Sequence, residues 1–461
     1  MSEFLLQAGI RAPGPRGLPF LGCLLQFRRN PIQFLMDAHS LYGDIIRIKI
    51  RGLIVHLVTR PDYIEHVLVD RRQNYFKGYG YDDQKLLLGD GLITSEGSLW
   101  ERQHRLMQPF FTPKGVGQFV EIMTECINEM LTRWGPLADT KNIIRVDDEM
   151  ARLTGNIIVR ILFDRNLDDE TSSIDKAFQY CVKFIDQRSA DLIASPMFLP
   201  TPSNRRFRRC LSIIHQFIDD RIDDQMKNPA KKNILSVLMK ARDEDTGEGM
   251  NRWQLRDELI TLFVAGYQTT MHSLSWVWCM LDQHRWVADK LFREQDVVLE
   301  GKPPALVDIE KLPYSVRVIH EVLRLYPPVK VVAREVVEDD KIDGFLIPAK
   351  SIVLISPYIT QRHPAFWENP EKFEPDRFVS DHSVDRSRYA FLPFSTGPRK
   401  CLGDNFAILE AVMVLTMVTQ LYRLELVPGH PIEHSMEVKT PPLHGMPMTL
   451  HRQATTHQTR F

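Results

Sequence analysis

The sequence predicts a mainly α-helical protein with small β-sheets (α+β), organised as a single domain over residues 1–461. Three observations carry that reading. Helical apolar patterns recur along most of the chain, the longest running from Trp253 to His284. β-Branched alternation is confined to short runs: Ile45–Lys49, Leu53–Thr59 and the stretch from Lys330 to Ile355. Pro, Gly and charged residues are spread throughout, so no linker divides the 461 residues.

In chain order, residues 1–20 form a lead-in whose Pro/Gly-rich part, 11–19, excludes regular structure. Pro31–Tyr42 reads as an amphipathic helix. Arg51-Gly52 joins the first two β-like runs into a hairpin, and Pro61 opens another helix at its first turn. Residues 72–95 are aromatic- and Gly-rich without a sustained period and read as a long loop, a length that usually signals function. Helices follow at Trp100–Phe111, Val116–Trp134, Met150–Phe163 and through the 170s and 180s. A Pro-rich gap at 196–202 precedes a helix over Arg205–Gln225.

The Trp253–His284 helix would run roughly 48 Å, enough to cross a whole domain. Leu259–Leu281 carries no Asp, Glu, Lys or Arg, so a membrane span has to be considered. Gln268, Thr269, Thr270, His272 and two serines interrupt it, which favours a helix buried in a large core. Helices at His284–Leu299 and Leu312–Leu325, an irregular stretch at 361–393 and a helix over Asn405–Leu421 complete the main pattern. Short strands are expected after Leu421 and a disordered tail over 452–461.

Lys plus Arg (58) balances Asp plus Glu (59), which argues against a general binder of nucleic acid or anionic membrane. The basic run Arg205-Arg206-Phe207-Arg208-Arg209 reads as a solvated helix face. Six scattered cysteines without a C-x-x-C pair indicate a reducing compartment. Phe4-Leu5-Leu6 is too short for a signal or anchor, so the expectation is a soluble, cytoplasmic protein without a transmembrane anchor.

The chemistry concentrates in Phe394-Ser-Thr-Gly397-Pro-Arg399-Lys-Cys401-Leu-Gly403. Cys401 stands at the start of the Asn405–Leu421 helix, where backbone N–H groups and the helix dipole favour a thiolate. Gly397 and Gly403 permit close approach or unusual backbone shape, and Arg399 offers a fork suited to a carboxylate. Thiolate, glycine and carboxylate clamp together fit a haem with its propionates. A structural cysteine buried near a helix start is the plainer alternative.

The spacing Phe-x-x-Gly-x-Arg-x-Cys-x-Gly resembles the haem-binding signature of the cytochrome P450 family, whose fold sets a long central helix against a buried haem beside the cysteine loop. Ala265-Gly266-Tyr267-Gln268-Thr269-Thr270 resembles that family's oxygen-binding helix, with Thr269 at its catalytic threonine and Gln268 where an acid is common. Glycine inside a helix costs about 1 kcal/mol against alanine; Gly266 beside Ala265 suggests something flat against that face, and tight helix packing is the alternative. Glu321 and Arg324 share a helix face and resemble the Glu-x-x-Arg motif, with Arg377 as the second arginine of that pair. Trp100 and His104 resemble the Trp-x-x-x-Arg helix with histidine in place of arginine, and Arg334 resembles a third propionate contact.

The resemblance implies a monooxygenase that carries haem b (iron protoporphyrin IX), with Cys401 as axial ligand of the iron. It would insert one atom of O2 into a hydrophobic substrate, by hydroxylation or epoxidation. Electrons would come from a ferredoxin or flavodoxin with its NAD(P)H reductase, docking where Arg102, Lys114 and Lys400 make a basic surface. A monomer that binds no nucleic acid is expected. A peroxide-driven peroxygenase and a non-catalytic haem sensor remain as alternatives. Residues 72–95, 185–200, Leu262–Ala265 and Val329–Val332 are expected to line the substrate site.

Overall fold

The computed structural model describes residues 10–165, 171–190, 195–228, 233–243, 245–379 and 386–453. Its strands are β1 (Ile45–Ile50), β2 (Leu53–Val58), β3 (Tyr75–Phe76), β4 (Ile143–Arg145), β5 (Val332–Val336), β6 (Asp340–Ile342), β7 (Phe345–Ile347), β8 (Ile352–Ile355), β9 (Tyr422–Leu426) and β10 (Pro447–Arg452). The longer helices are α1 (Pro31–Tyr42), α2 (Gly97–Phe111), α3 (Val120–Thr140), α4 (Val146–Phe163), α5 (Thr171–Ala190), α6 (Pro202–Lys227), α7 (Arg252–Gln283), α8 (Arg285–Leu299), α9 (Pro313–Leu325) and α10 (Asp404–Thr419).

The β1–β2 hairpin closes where Arg51 and Gly52 both take positive φ, 48° and 85°, a turn whose twist matches its flanking strands. The two strands extend into a five-stranded sheet of order β1-β2-β8-β5-β3. Side chains alternate between its faces as strand geometry requires. Ile46, Ile48, Val55, Leu57 and Leu354 pack with Ile32 and Leu35 of α1, while Ile45, Val58, Val353 and Ile355 join a second cluster with Tyr63 and Ile64. A three-stranded sheet, β4-β10-β9, lies elsewhere.

α7 organises the helical part. Asn251 caps it, accepting from the Gln254 backbone N–H, and the Gln254 side chain accepts from the Asn251 N–H in return. It packs against α4, α9 and α10, and most side chains between Leu259 and Leu281 are buried, as expected for a core helix. No helix among the described residues is long and apolar enough to cross a membrane.

Glu321 and Arg324 of α9 have side chains with no exposure at all. Arg324 Nε and Nη2 donate to the two Glu321 oxygens at 2.7 and 2.8 Å, and Arg377 Nε adds a third bond at 3.0 Å. The remaining Arg324 donors reach the carbonyls of Gln361, Pro370 and Lys372. A buried ion pair persists only when its leftover donors are met, and here the irregular chain at 361–378 meets them. The pair therefore fixes that chain's path.

Several boundaries differ from the sequence reading. Residues 72–95 are not one loop: they hold β3 and a helix over Asp82–Leu88, begun by Asp82 and Asp83 and ended at Gly89, φ 54°. Acids at a helix N-terminus and glycine past its end are signals that the aromatic, Gly-rich composition masked. α3 begins at Val120 and continues through Pro136 to Thr140. Arg452 is part of β10, paired with Tyr422, so order reaches past the expected start of the tail; residues 454–461, and 1–9 of the lead-in, lie outside the described residues. The basic run on α6 is a solvated face, with Phe207 buried and its four arginines at the surface or partly so.

Candidate active site

The Cys401 loop is a tight reversal. The Cys401 N–H donates to Phe394 O (2.9 Å) and the Lys400 N–H to Gly397 O (3.0 Å). Gly397 has φ 72°, and a Cβ there would sit 2.2 Å from Leu68 O. No other residue fits, because the loop's backbone lies directly on the turn at His66–Asp70. Gly403 differs: φ is −88°, and a Cβ would meet only Cys401 Sγ, at 4.0 Å. Phe394 packs against the main helical cluster.

Cys401 lies deep in the protein, yet its side chain is accessible to solvent, as for a group that lines an interior recess. Burial pushes its thiol up to about 11, and the Gly403 N–H opposes this only in part. The helix-terminus argument for a free thiolate is therefore outweighed by desolvation. A coordinating metal ion deprotonates such a thiol outright.

Beside the loop, cations converge from three distant segments. Arg399 lies with its guanidinium 3.9 Å from the Trp100 ring centre and pairs with Glu96. Its Nη1 is buried and has no partner among the described residues. Arg334 of β5 is buried and, among the described residues, donates only to Ala333 O (2.8 Å). Lys77 donates to Ile93 O; burial, then Arg399 and Arg334, lower it to about 7. Glu96 also accepts from the Lys77 backbone N–H at 2.9 Å. Three cations facing one carboxylate, with an orphaned guanidinium nitrogen, leave room for further anionic oxygens. A haem with two propionates fits this donor set.

His104 stacks on Trp100, ring centres 5.0 Å apart. Burial and then Arg399 lower its pKa, so it is a neutral ring that can donate a hydrogen bond but adds no charge. Lys77 and Glu96 escaped the sequence reading. The available signal was a lysine within the aromatic run Tyr75-Phe76-Lys77-Gly78-Tyr79, in a segment read only as substrate wall.

On α7, Thr269 Oγ1 donates to Ala265 O at 2.7 Å, and Ser273 Oγ donates to Thr269 O at 2.9 Å. With its proton so placed, the Thr269 hydroxyl keeps its lone pairs for an incoming donor. A Cβ on Gly266 would lie 3.0 Å from Ile158 Cδ1 of α4. That close approach supports the packing alternative, in which Gly266 serves the α4–α7 crossing. Leu262, Ala265, Gln268 and Thr269 are partly open, whereas Phe263, Tyr267 and Thr270 are buried, so one apolar-to-neutral face of α7 borders accessible space. Lys439 Nζ donates to Gln268 Oε1 at 3.1 Å.

The expected basic docking surface is only partly present. Arg102 bonds to Gly249 O, Gln254 and Glu248, and Lys400 pairs with Asp404; Lys114 is exposed. A second titratable cluster, His39, Asp44 and His363, resembles a metal triad. Both histidine Nε2 atoms instead contact Asp44 Oδ1, at 3.0 and 2.8 Å, and His363 Nδ1 accepts from the Ala365 N–H. That bond places the His363 proton on Nε2, where a metal would have to bind.

The chain matches the cytochrome P450 family over residues 12–447. It belongs to the cytochrome P450 family. Among similar proteins are cyclooctatin synthase of Streptomyces melanosporofaciens, 33% identical over 94% of each chain, and pentalenene oxygenase of Streptomyces avermitilis, 30% identical over 93% of this chain and 94% of its own. Cyclooctat-9-en-7-ol 5-monooxygenase of Streptomyces melanosporofaciens is 30% identical over 90% of each. The haem domain of cytochrome P450DA superposes at TM-score 0.89 with 22% identity, covering 99% of this chain and 100% of that one. A retinoic-acid-bound cyanobacterial P450 superposes at 0.86 with 24% identity, covering 97% and 100%. This P450 is thus an oxidoreductase of the monooxygenase class with a haem cofactor, and its fold is the family's.

Proposed function

We propose that this P450 binds haem b through Cys401, places the propionates among Arg399, Arg334, Lys77, Trp100 and His104, and oxidises a terpene-like carbocycle by hydroxylation or epoxidation. The observation that carries the binding reading is the cation-rich cluster with its orphaned Arg399 Nη1. The substrate class is supported by the printed names of the Streptomyces relatives, which denote unsaturated carbocycles, and by the uncharged open face of α7. When bound, a thiolate-ligated haem supplies oxygen activation, one atom going to the substrate and the other to water.

The protein's own contributions are separable. Leu262 and Ala265 offer an apolar wall, Thr269 Oγ1 presents an acceptor, and Glu321, Arg324 and Arg377 hold the chain at 361–378 in place. Electrons would come from a ferredoxin or flavodoxin with its NAD(P)H reductase, and we read the protein as a cytoplasmic monomer. Peroxide-driven turnover is the second reading, favoured by Gln268 in place of an acid.

Cys401→His tests the ligand: the red-shifted Soret band that a thiolate gives in the presence of carbon monoxide should disappear while some haem is retained. Survival of that band would assign another ligand. Titrating pentalenene, a retinoid and a fatty acid against the Soret band then ranks substrate classes. Comparing turnover by a surrogate ferredoxin system with turnover by added peroxide decides between the two electron sources.

A further inference from the structure

Gln268 cannot gain or lose a proton in the working pH range, and α7 carries no Asp, Glu, Lys or Arg between Leu259 and Leu281. His272, one turn on, is held neutral: burial and then Lys439 and Lys330 lower it to about 3. Protons for Thr269 must therefore come from another element.

The structure offers one solvent-linked route among the described residues. Lys439 Nζ donates to Gln268 Oε1 at 3.1 Å and to Asp186 Oδ2 of α5 at 2.9 Å. Lysine can only donate, so this contact settles which end of the carboxamide faces it, and the Gln268 NH2 points elsewhere. The side chains of Asp186 and Lys439 are 43% and 31% exposed, so both exchange with water.

The mount of Lys439 is rigid. The buried Lys330 donates its backbone N–H to Val438 O (2.8 Å) and its ammonium to Ser435 O and Lys439 O. Trp276 Nε1 of α7 donates to Thr440 O at 2.8 Å, and Thr440 Oγ1 donates to Pro327 O. A segment tied at four points holds its lysine over α7 without help from Asp186. The carboxylate must then have another use.

We propose that Lys439 is a positioning residue for oxygen chemistry in this P450: it fixes the Gln268 carboxamide and, with Asp186, makes the solvent end of the proton path to Thr269. Held by the Lys439 Nζ, the Gln268 carboxamide orders water toward Thr269, and that water is replenished from solvent on the Asp186 side. The competing buried acid is Glu410 of α10, whose carboxyl lies near the Thr270 side chain of α7. This inference rests on the monooxygenase activity but not on the identity of the substrate.

The test uses the haem-loaded protein and the variants K439M, K439R, D186N, E410Q and Q268E/K439M. Hydrogen–deuterium exchange in the resting protein reads the contacts without turnover: K439M should speed exchange at residues 183–189 at least threefold, and K439R should not. With a surrogate ferredoxin system and pentalenene as probe, peroxide released per NADPH consumed is measured whether or not the probe is oxidised. K439M should raise that share at least threefold, D186N by less. K439R should restore it, and Q268E/K439M should recover because an acid again stands at 268. Faster exchange with an unchanged peroxide share would leave Lys439 a mere tie and overturn the proposal. A raised share in E410Q but not in K439M would overturn it too, by placing the path past Thr270. Absence of any haem-dependent NADPH consumption in the unmodified protein would instead contradict the monooxygenase reading itself.

Discussion

The guanidinium of Arg399 stacks 3.9 Å from the centre of the Trp100 indole while its Nη1 has no partner among the described residues. Stacking leaves the planar fork in one orientation, so the free nitrogen is aimed rather than mobile. Arg399→Leu should lower haem retention several-fold, read as the Soret-to-protein absorbance ratio after gel filtration. Arg399→Lys should recover only part, because lysine keeps the charge but not the stacked plane. Equal retention in all three proteins would remove Arg399 from the cofactor site.

Lys77 offers a graded version of that test. Its pKa is depressed to about 7 by burial and by Arg399 and Arg334, so an anion beside it must raise it. Lys77→Met should speed haem transfer to apomyoglobin, by less than Arg399→Leu does. No acceleration would assign the lysine to the Ile93 carbonyl alone.

Arg324→Ala should fail by loss of haem and solubility rather than by altered products. It leaves Glu321 charged with full burial, at about 3–5 kcal/mol, and releases three carbonyls of the 361–378 chain. A stable, haem-replete variant with a changed product profile would contradict the structural role.

Thr269→Ala should increase peroxide released per NADPH consumed, with the Soret titration of pentalenene little changed. Removing the hydroxyl deletes one acceptor facing the open side of α7 and one bond to Ala265 O, neither of which holds the fold. Unchanged coupling would move the proton acceptor to another residue.

The contribution of Glu258 and Glu410 to stability should fall as pH rises from 5 to 8, against the opposite contribution of buried histidines such as His272. Burial raises Glu258 and Glu410 from near 4.5 to about 8, so across this window the folded state keeps protons that the unfolded state has lost. The associated stabilisation is complete below pH 4.5 and disappears as pH passes 8, by up to about 1.4 kcal/mol per unit per group. The melting temperature of Glu410→Gln, taken relative to that of the unmodified protein, should climb from pH 5 to pH 8. Parallel slopes would place a charged partner beside Glu410.

The cysteine loop was legible because all of its determinants lie within ten consecutive residues. Hairpin, central helix and the Glu321–Arg324 pair were legible for the same reason, since local spacing shows which residues share a face. Lys77 joining Arg334 and Arg399 was not, because that convergence exists only after three remote segments meet. Gly266 was ambiguous in the sequence because a helix crossing and a flat ligand ask for the same small residue. At Cys401 the helix terminus that favours a thiolate is visible in the sequence, whereas the burial that opposes it in the free thiol is not. Lys439 carried no signal at all until its loop was seen folded onto α7.

Glu96 and Arg399 are separated by 303 positions. At a synthesis rate of about 5–20 residues per second, roughly 15–60 s pass between their appearances on the ribosome. Throughout that interval Trp100 has no guanidinium to stack on; Lys77 gains Arg334 only late in it, and Cys401 follows after it. The first half of the cradle must therefore wait as an incomplete surface, and the cofactor is captured only as synthesis nears its end.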